Sequence, residues 1–214
     1  MTTTLTRSAA AAVLDRLFAA AERDDDRPVP DLSRADARQR ADALRDIYMP
    51  VSRSGGELLY ALARTCRPRT VVEFGTSHGI STIFLAAAVS DNGEGHVLTT
   101  ELSADKVAAA GDNLARAGLA GVVTILPGDA LETLADVPGP VDLVLLDGWK
   151  ELCLPVLRLL EPRLRPGALV VADDTTFASM GDYLAYVRDP ANGYVTVDFP
   201  VEDGMELSCF TPAA

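Results

Sequence analysis

Asp147, Lys150, Asp173 and Asp174 are the residues best placed by type and spacing to do chemistry. They lie in the segment VDLVLLDGWKELCLPVLRLLEPRLRPGALVVADDT, Val141 to Thr175. Two apolar runs, Val141–Leu146 and Ala168–Ala172, each end in acid: Asp147 after the first, Asp173 and Asp174 after the second. Carboxylates brought together repel one another unless a cation sits among them. An oxygen-ligated divalent cation is therefore expected at Asp147, Asp173 and Asp174, with Lys150 beside it. Mg²⁺ is the default ion, and Ca²⁺ or Mn²⁺ also suit three carboxylates.

The pattern between the two runs is helical and is closed by Pro162, Pro166 and Gly167. Strand, helix and strand in that order predict a parallel pair with a right-handed crossover. Both strands then point the same way, and the acids fall at the carboxyl edge of one sheet, where open α/β sheets bind ligands. The alternation extends along the chain. Strands are predicted at Thr70–Phe74, His96–Thr100, Val122–Leu126, Val141–Leu146, Ala168–Ala172, Tyr194–Phe199 and Met205–Phe210. Helices are predicted at Ile80–Val89, Ala104–Ala117, Leu131–Ala135, Leu152–Arg163 and Met180–Val187. The short Glu202–Gly204 turn forces its two strands to be antiparallel. The expected fold is α/β: a doubly wound, mostly parallel seven-stranded sheet ending in an antiparallel hairpin.

Ahead of the sheet, Val13, Leu14, Leu17 and Phe18 recur at helical spacing within Thr6–Arg23. DDDRPVP, Asp24–Pro30, reads as a linker. Ser33 and Asp36 resemble a capping box for a second helix reaching about Ile47, and a third helix spans Gly55–Thr65. Residues 1–48 are read as N-terminal helices that form a lid, a dimer contact or a packing layer. The apolar face of the first helix favours a homodimer. Residues 49–214 form the main domain.

The 214 residues suit one large α/β domain, and 48% hydrophobic content supports a substantial core. A net charge of −12 argues against a nucleic-acid partner and against an anionic membrane surface. Cys66, Cys153 and Cys209 are too far apart in sequence for a metal cluster and read as thiols of a reducing compartment. No apolar stretch reaches membrane-spanning length, so a cytoplasmic protein is expected.

The first strand runs into VVEFGTSHGIS, Val71–Ser81, with Gly75 ending the strand and Gly79 opening the helix. Glycines at such a junction let the backbone turn tightly and approach a ligand. The dinucleotide fingerprint GxGxxG is absent, which counts against a nucleotide-dependent oxidoreductase. Glu101 after the second strand is placed for ribose hydroxyls, and Asp129 after the third for an adenine amino group. Acids after consecutive strands, in the order ribose then base, fit a nucleoside cofactor without a pyrophosphate.

With these residues in place, the chain resembles the class I S-adenosylmethionine methyltransferases. Within them it is most similar to the small cation-dependent O-methyltransferases of the catechol and caffeoyl-CoA groups. Glu73, Gly75, Gly79 and Ser81 match their ExGxxxGxS motif. Asp147-Gly148-Trp149-Lys150 and Ala172-Asp173-Asp174 match the catechol group's Asp-His-Trp-Lys and Ala-Asp-Asn. Tyr183–Arg188 and Asp203–Glu206 resemble that group too. The resemblance implies S-adenosylmethionine as cofactor and a small hydroxylated acceptor. It implies cofactor contacts from Val51, Ser52, Glu73, Gly75, Gly79, Ser81, Glu101, Asp129, Ala130, Asp147 and Trp149. It implies a divalent cation on Asp147, Asp173 and Asp174, with Lys150 as general base.

Gly148 and Asp174 depart from the motif's histidine and asparagine, and the stretch from Arg188 to Asp203 is shorter than in the catechol enzymes. Other readings stay open at this point. Asp173-Asp174 can cap a turn, Lys150 can be a solvated helix-start lysine, and Trp149 can be core. His78 reads as a solvated loop residue, with a base as the alternative; His96 has no evident partner. The competing functions are metal-independent N- or C-methyl transfer and a non-catalytic cofactor-binding scaffold.

Overall fold

The computed structural model describes residues 3–6, 8–32 and 34–212. Seven strands form one sheet: β1 (Thr70–Phe74), β2 (His96–Glu101), β3 (Val123–Pro127), β4 (Val141–Leu146), β5 (Leu164–Asp173), β6 (Tyr194–Phe199) and β7 (Met205–Phe210). Their order is β3-β2-β1-β4-β5-β7-β6. β7 runs antiparallel to both β5 and β6, and the other pairings are parallel. The chain crosses from β3 at one edge to β4 beside β1, so the order reverses between β1 and β4. A crevice at the carboxyl end of the sheet follows from that reversal.

Helices cover both faces. α1 (Ser8–Ala21), α3 (Arg53–Cys66), α4 (Ile80–Asn92) and α5 (Ala104–Ala117) lie on one side. α6 (Ala130–Thr133), α7 (Cys153–Leu160) and α8 (Gly181–Arg188) lie on the other. Strand alternation divides the core: Val71, Leu143, Leu145 and Val171 face the first layer, while Val72, Val144, Leu146 and Val170 face the second. The period of two in a pleated strand produces that division.

Three expectations need correction. The face of α1 on which a homodimer was inferred is occupied inside the chain. Val13, Leu14 and Leu17 are buried in the same core as β1 and α4. An amphipathic stripe specifies that a helix face is buried, not whether the covering surface belongs to the same chain. The second helix, α2 (Ala37–Ala43), starts from a capping box formed by Asp36 and Gln39. Ser33, to which the start was assigned, lies outside the described residues. β5 begins at Leu164, four residues early, running through Pro166 and Gly167 with a shift of register against β4. No described helix is long and apolar enough to cross a membrane.

Candidate active site

The sheet register assembles the site. Phe74 pairs with Thr100 on β2 and with Leu146 on β4, and Leu146 pairs with Ala172 on β5. The next residues along each strand are Glu101, Gly75, Asp147 and Asp173. These four form one row across the carboxyl edge, although Gly75 and Asp173 stand 98 positions apart in sequence.

 The pairing of neighbours, rather than their distance along the chain, decides which acids meet.

The acidic cluster stands at the β4 and β5 end of this row. One carboxylate oxygen from each of Asp147, Asp173 and Asp174 lies within 4.8 Å of the others. Asp174 has a left-handed backbone with φ 57°, a conformation that aspartate tolerates better than most residues. It turns the chain out of β5 while its side chain stays in the cluster. Lys150 Nζ lies 3.0 Å from Asp147 Oδ1 and 2.8 Å from Asp174 Oδ2. Burial pushes the Asp173 carboxyl up to about 8, and the charges of Asp147 and Asp174 add to that rise. Asp147 is raised as well, by burial first and with Lys150 opposing. Burial alone would pull the Lys150 ammonium down, but Asp147 and Asp174 outweigh it and hold it above its ordinary value. Were all three carboxyls ionised, they would exceed the one ammonium by two negative charges. Burial first, and that excess after it, make Asp173 and Asp147 resist ionisation with only Lys150 beside them. Hard oxygens with that charge fit a divalent cation.

At the β1 and β2 end, Gly75 has φ 104°, and a Cβ there would lie 2.6 Å from the carbonyl oxygen of Asp147. Only glycine lets β1 and β4 approach this closely and leaves an open floor for a ligand. Glu101 accepts the Ser77 N–H at Oε2 and the Ser103 N–H at Oε1, each at 2.8 Å. Asp129 caps α6 by accepting the Leu131 N–H at 2.8 Å. A single cavity of about 950 Å³ runs over the whole row. That volume is at the upper end for small-molecule sites and leaves room for two molecules side by side.

Val51, Gly75, Ser81, Glu101, Asp129, Ala130, Asp147, Trp149, Lys150, Asp173 and Asp174 all line this cavity. Ser52, Glu73 and Gly79 do not line it. Ser52 caps α3, accepting the Gly55 N–H at 2.9 Å. Glu73 is wholly buried beneath α4, where it accepts hydrogen bonds from Ser81 at 2.6 Å and Thr82 at 2.5 Å. Strand alternation puts Glu73 on the face of Val71, away from the open edge. Gly79 packs against Ala110 at the start of α4. At Gly148, a Cβ would stand 2.4 Å from the Phe74 ring. That ring occupies the space a histidine side chain would need to enter.

Several residues of the site are invisible to motif reading. Residues of the stretches 21–29 and 37–50 roof the cavity, with Tyr48 stacked on His78 at a centroid distance of 4.0 Å. His78 is therefore buried rather than solvated. Burial lowers it to about 4, and the Lys106 charge adds to the effect. Asp24 Oδ2 accepts the N–H groups of Tyr48 and Met49 at 2.8 and 3.0 Å. Arg40 of α2 lies 4.7 Å from the Trp149 ring centroid and pairs with Glu151, so Trp149 borders the cavity under a guanidinium. His96 finds a partner in Thr124 at 2.8 Å. Lys106 is the one residue of this group with a sequence signal. It shares a helical stripe with Ala110, Asn113, Leu114 and Ala117, a charge at a core position.

Comparison with known proteins follows the same lines. Residues 72–175 match a family described as methyltransferase domain. The chain is 34% identical over 139 residues to a catechol O-methyltransferase of Niastella koreensis, covering 62% of each chain. It is 31% identical over 147 residues to a catechol O-methyltransferase of Sus scrofa, covering 65% of this chain and 78% of that one. The O-methyltransferase TomG of Streptomyces achromogenes, solved in complex with S-adenosylmethionine, superimposes with a TM-score of 0.70 at 26% identity. That match covers 94% of this chain and 90% of TomG. The chain spans 62% of the length of the Niastella protein, less than two thirds of it.

Proposed function

We infer the function of this chain from its family: it belongs to the class I S-adenosylmethionine-dependent O-methyltransferases of catechol O-methyltransferase type. In our reading it transfers a methyl group from S-adenosylmethionine to a hydroxyl oxygen of a small molecule, with a divalent cation on Asp147, Asp173 and Asp174. The observation that carries this reading is the row Glu101, Gly75, Asp147 and Asp173 along one sheet edge, with Lys150 inside the acidic cluster. When bound, the cofactor supplies an electrophilic methyl on a sulfonium, and the cation supplies a Lewis acid toward the acceptor hydroxyl.

The chain's own groups do the rest. Glu101 receives the ribose, the Gly75 floor admits the cofactor, and Val51 and Ser81 border its methionine end. Asp129 and Ala130 border the adenine. Lys150 takes the hydroxyl proton at Nζ. It can do so only after Asp147 and Asp174 engage another partner, because their charges hold it protonated. Once they do, burial favours its neutral form. Trp149 and the roof formed by residues of 21–29 and 37–50 exclude water and hold the acceptor in line. Val29, Met49 and Phe177 line the cavity and are exposed, which suits an acceptor with an apolar body. Homodimerisation through the N-terminal helices, in this reading, would use a surface other than Val13, Leu14 and Leu17, which are buried within the chain.

Product mass analysis tests the reading, using S-adenosylmethionine, Mg²⁺ and a panel of catechols, phenols and hydroxylated metabolites. The expected result is an O-methylated product that disappears in EDTA, while S-adenosylhomocysteine binding persists. Undiminished turnover in EDTA would replace it with metal-independent transfer.

A further inference from the structure

Lys106, on the first turns of α5, is 4% exposed and lines the cavity. Its ammonium donates to Ser77 Oγ at 3.1 Å. No carboxylate oxygen among the described residues lies within the 4.0 Å of an ion pair. An ammonium has three donors, and one hydroxyl satisfies only one of them. A buried cation in that condition costs free energy unless something else accepts from it. Burial pulls Lys106 below its ordinary value, with Glu101, Asp24 and Asp147 opposing.

Ser77 shows where the missing acceptor belongs. Its hydroxyl receives Lys106 and donates to the Tyr48 carbonyl at 2.8 Å, while its N–H donates to Glu101 at 2.8 Å. Lys106 and Glu101 are thus tied to one loop residue and border the same part of the cavity. A sugar hydroxyl can donate to a carboxylate and accept from an ammonium at once. The rival partner is Asp24 Oδ1, which is buried without a hydrogen bond and also borders the cavity.

We propose that Lys106 is a further cofactor-binding residue, whose ammonium donates to a ribose hydroxyl oxygen beside the Glu101 carboxylate. Glu101 and Lys106 then read the sugar as donor and acceptor together. This assignment rests on the S-adenosylmethionine reading above.

The test is calorimetric titration of S-adenosylhomocysteine and its 2′-deoxy and 3′-deoxy analogues into wild-type protein, Lys106→Met, Lys106→Gln and Glu101→Ala. Thermal unfolding of each ligand-free protein accompanies it. Loss of a charged hydrogen bond predicts S-adenosylhomocysteine binding weakened about 10- to 100-fold in Lys106→Met. The ligand-free unfolding midpoint should stay level or rise, since an apolar chain replaces an under-satisfied buried charge. Removing one of the two ribose hydroxyls should cost the variant less than it costs wild-type protein. Lys106→Gln, which keeps one donor, should fall between them and serves if Lys106→Met does not fold. Affinity within twofold of wild type, or an unchanged deoxy penalty, overturns the assignment. A lowered unfolding midpoint with normal affinity would make Lys106 a structural partner of Asp24 and Ser77. If Glu101→Ala weakens binding while Lys106→Met does not, only this assignment falls. If wild-type protein does not bind S-adenosylhomocysteine, the cofactor reading falls with it.

Discussion

The cavity holds a buried lysine at each end, and their surroundings are opposite. Lys150 sits between two carboxylates at 3.0 Å and 2.8 Å, and it is held protonated. Lys106 has a hydroxyl for company, and burial lowers it. Depth does not separate the two, since both are largely buried; neighbours do. In the proposed reading, the acceptor end gathers more acidic groups than one lysine can balance, which would make a place for a cation. In the same reading, the nucleoside end leaves the donors of Lys106 unmatched, which would make a place for a ligand oxygen. The same residue type is thus proposed to serve proton transfer at one end and binding at the other.

The largest effect that would sharpen this contrast is on turnover. Lys150→Met should slow the chemical step by roughly 100- to 10,000-fold, the usual worth of a positioned base. S-adenosylhomocysteine affinity should barely move, because Lys150 lies at the other end of the row from Glu101. Single-turnover kinetics beside calorimetry checks both halves. Normal turnover would move the base elsewhere. His78 is then a poor replacement, being stacked under Tyr48 and lowered to about 4.

A smaller effect is expected at the nucleoside end. Glu101→Ala should weaken S-adenosylhomocysteine binding by roughly 2–4 kcal/mol, because charge-assisted bonds to the ribose are lost. The backbone N–H groups of Ser77 and Ser103 lose their acceptor as well. Some of the loss will therefore come from a loosened loop, and the ligand-free unfolding midpoint measures that share. Unchanged affinity would remove Glu101 from the site and dissolve the contrast between the two ends.

The acids at strand ends were legible in sequence because a strand's last residue reports its own position at the sheet edge. Four of the seven strands, β1, β4, β6 and β7, have the bounds that the apolar runs predict. The start of β5 was not legible, since Pro166 and Gly167 read as a turn and only the neighbour β4 reveals a strand there. Glu73 was misplaced for a different reason. A motif is linear, whereas the pleat sends Glu73 under α4 and leaves Gly75 at the edge. The helices of the roof left a trace, but the contact that closes it did not, because Asp24 meets Tyr48 and Met49 only through their backbone N–H groups. Lys106 did leave a trace, a cation on an apolar stripe, and that signal needs no motif.

Glu73 supplies the smallest and most local test, and it concerns a buried acid with no ion-pair partner among the described residues. Burial raises its carboxyl to about 7, and the hydrogen bonds from Ser81, Thr82 and Thr99 recover only part of that rise. A carboxyl with a folded pKa above its unfolded one favours the folded state fully below pH 4.5, and that contribution disappears as pH rises through about 7. Between pH 5 and pH 7 the loss attributable to Glu73 is about 2 kcal/mol. His78 works in the opposite sense: its lowered pKa removes stability as pH falls from 6.5 toward 4. The two overlap in wild-type protein, so the total profile cannot assign either one. Glu73→Gln keeps the shape, cannot ionise, and leaves His78 in place. Denaturant unfolding of metal-free wild-type and Glu73→Gln proteins at pH 5 and pH 7 isolates the difference. The variant should gain on wild type by about 2 kcal/mol between the two conditions. Parallel profiles would mean that Glu73 is already ionised at pH 5, with Ser81 and Thr82 sufficient to hold a buried charge without any cation.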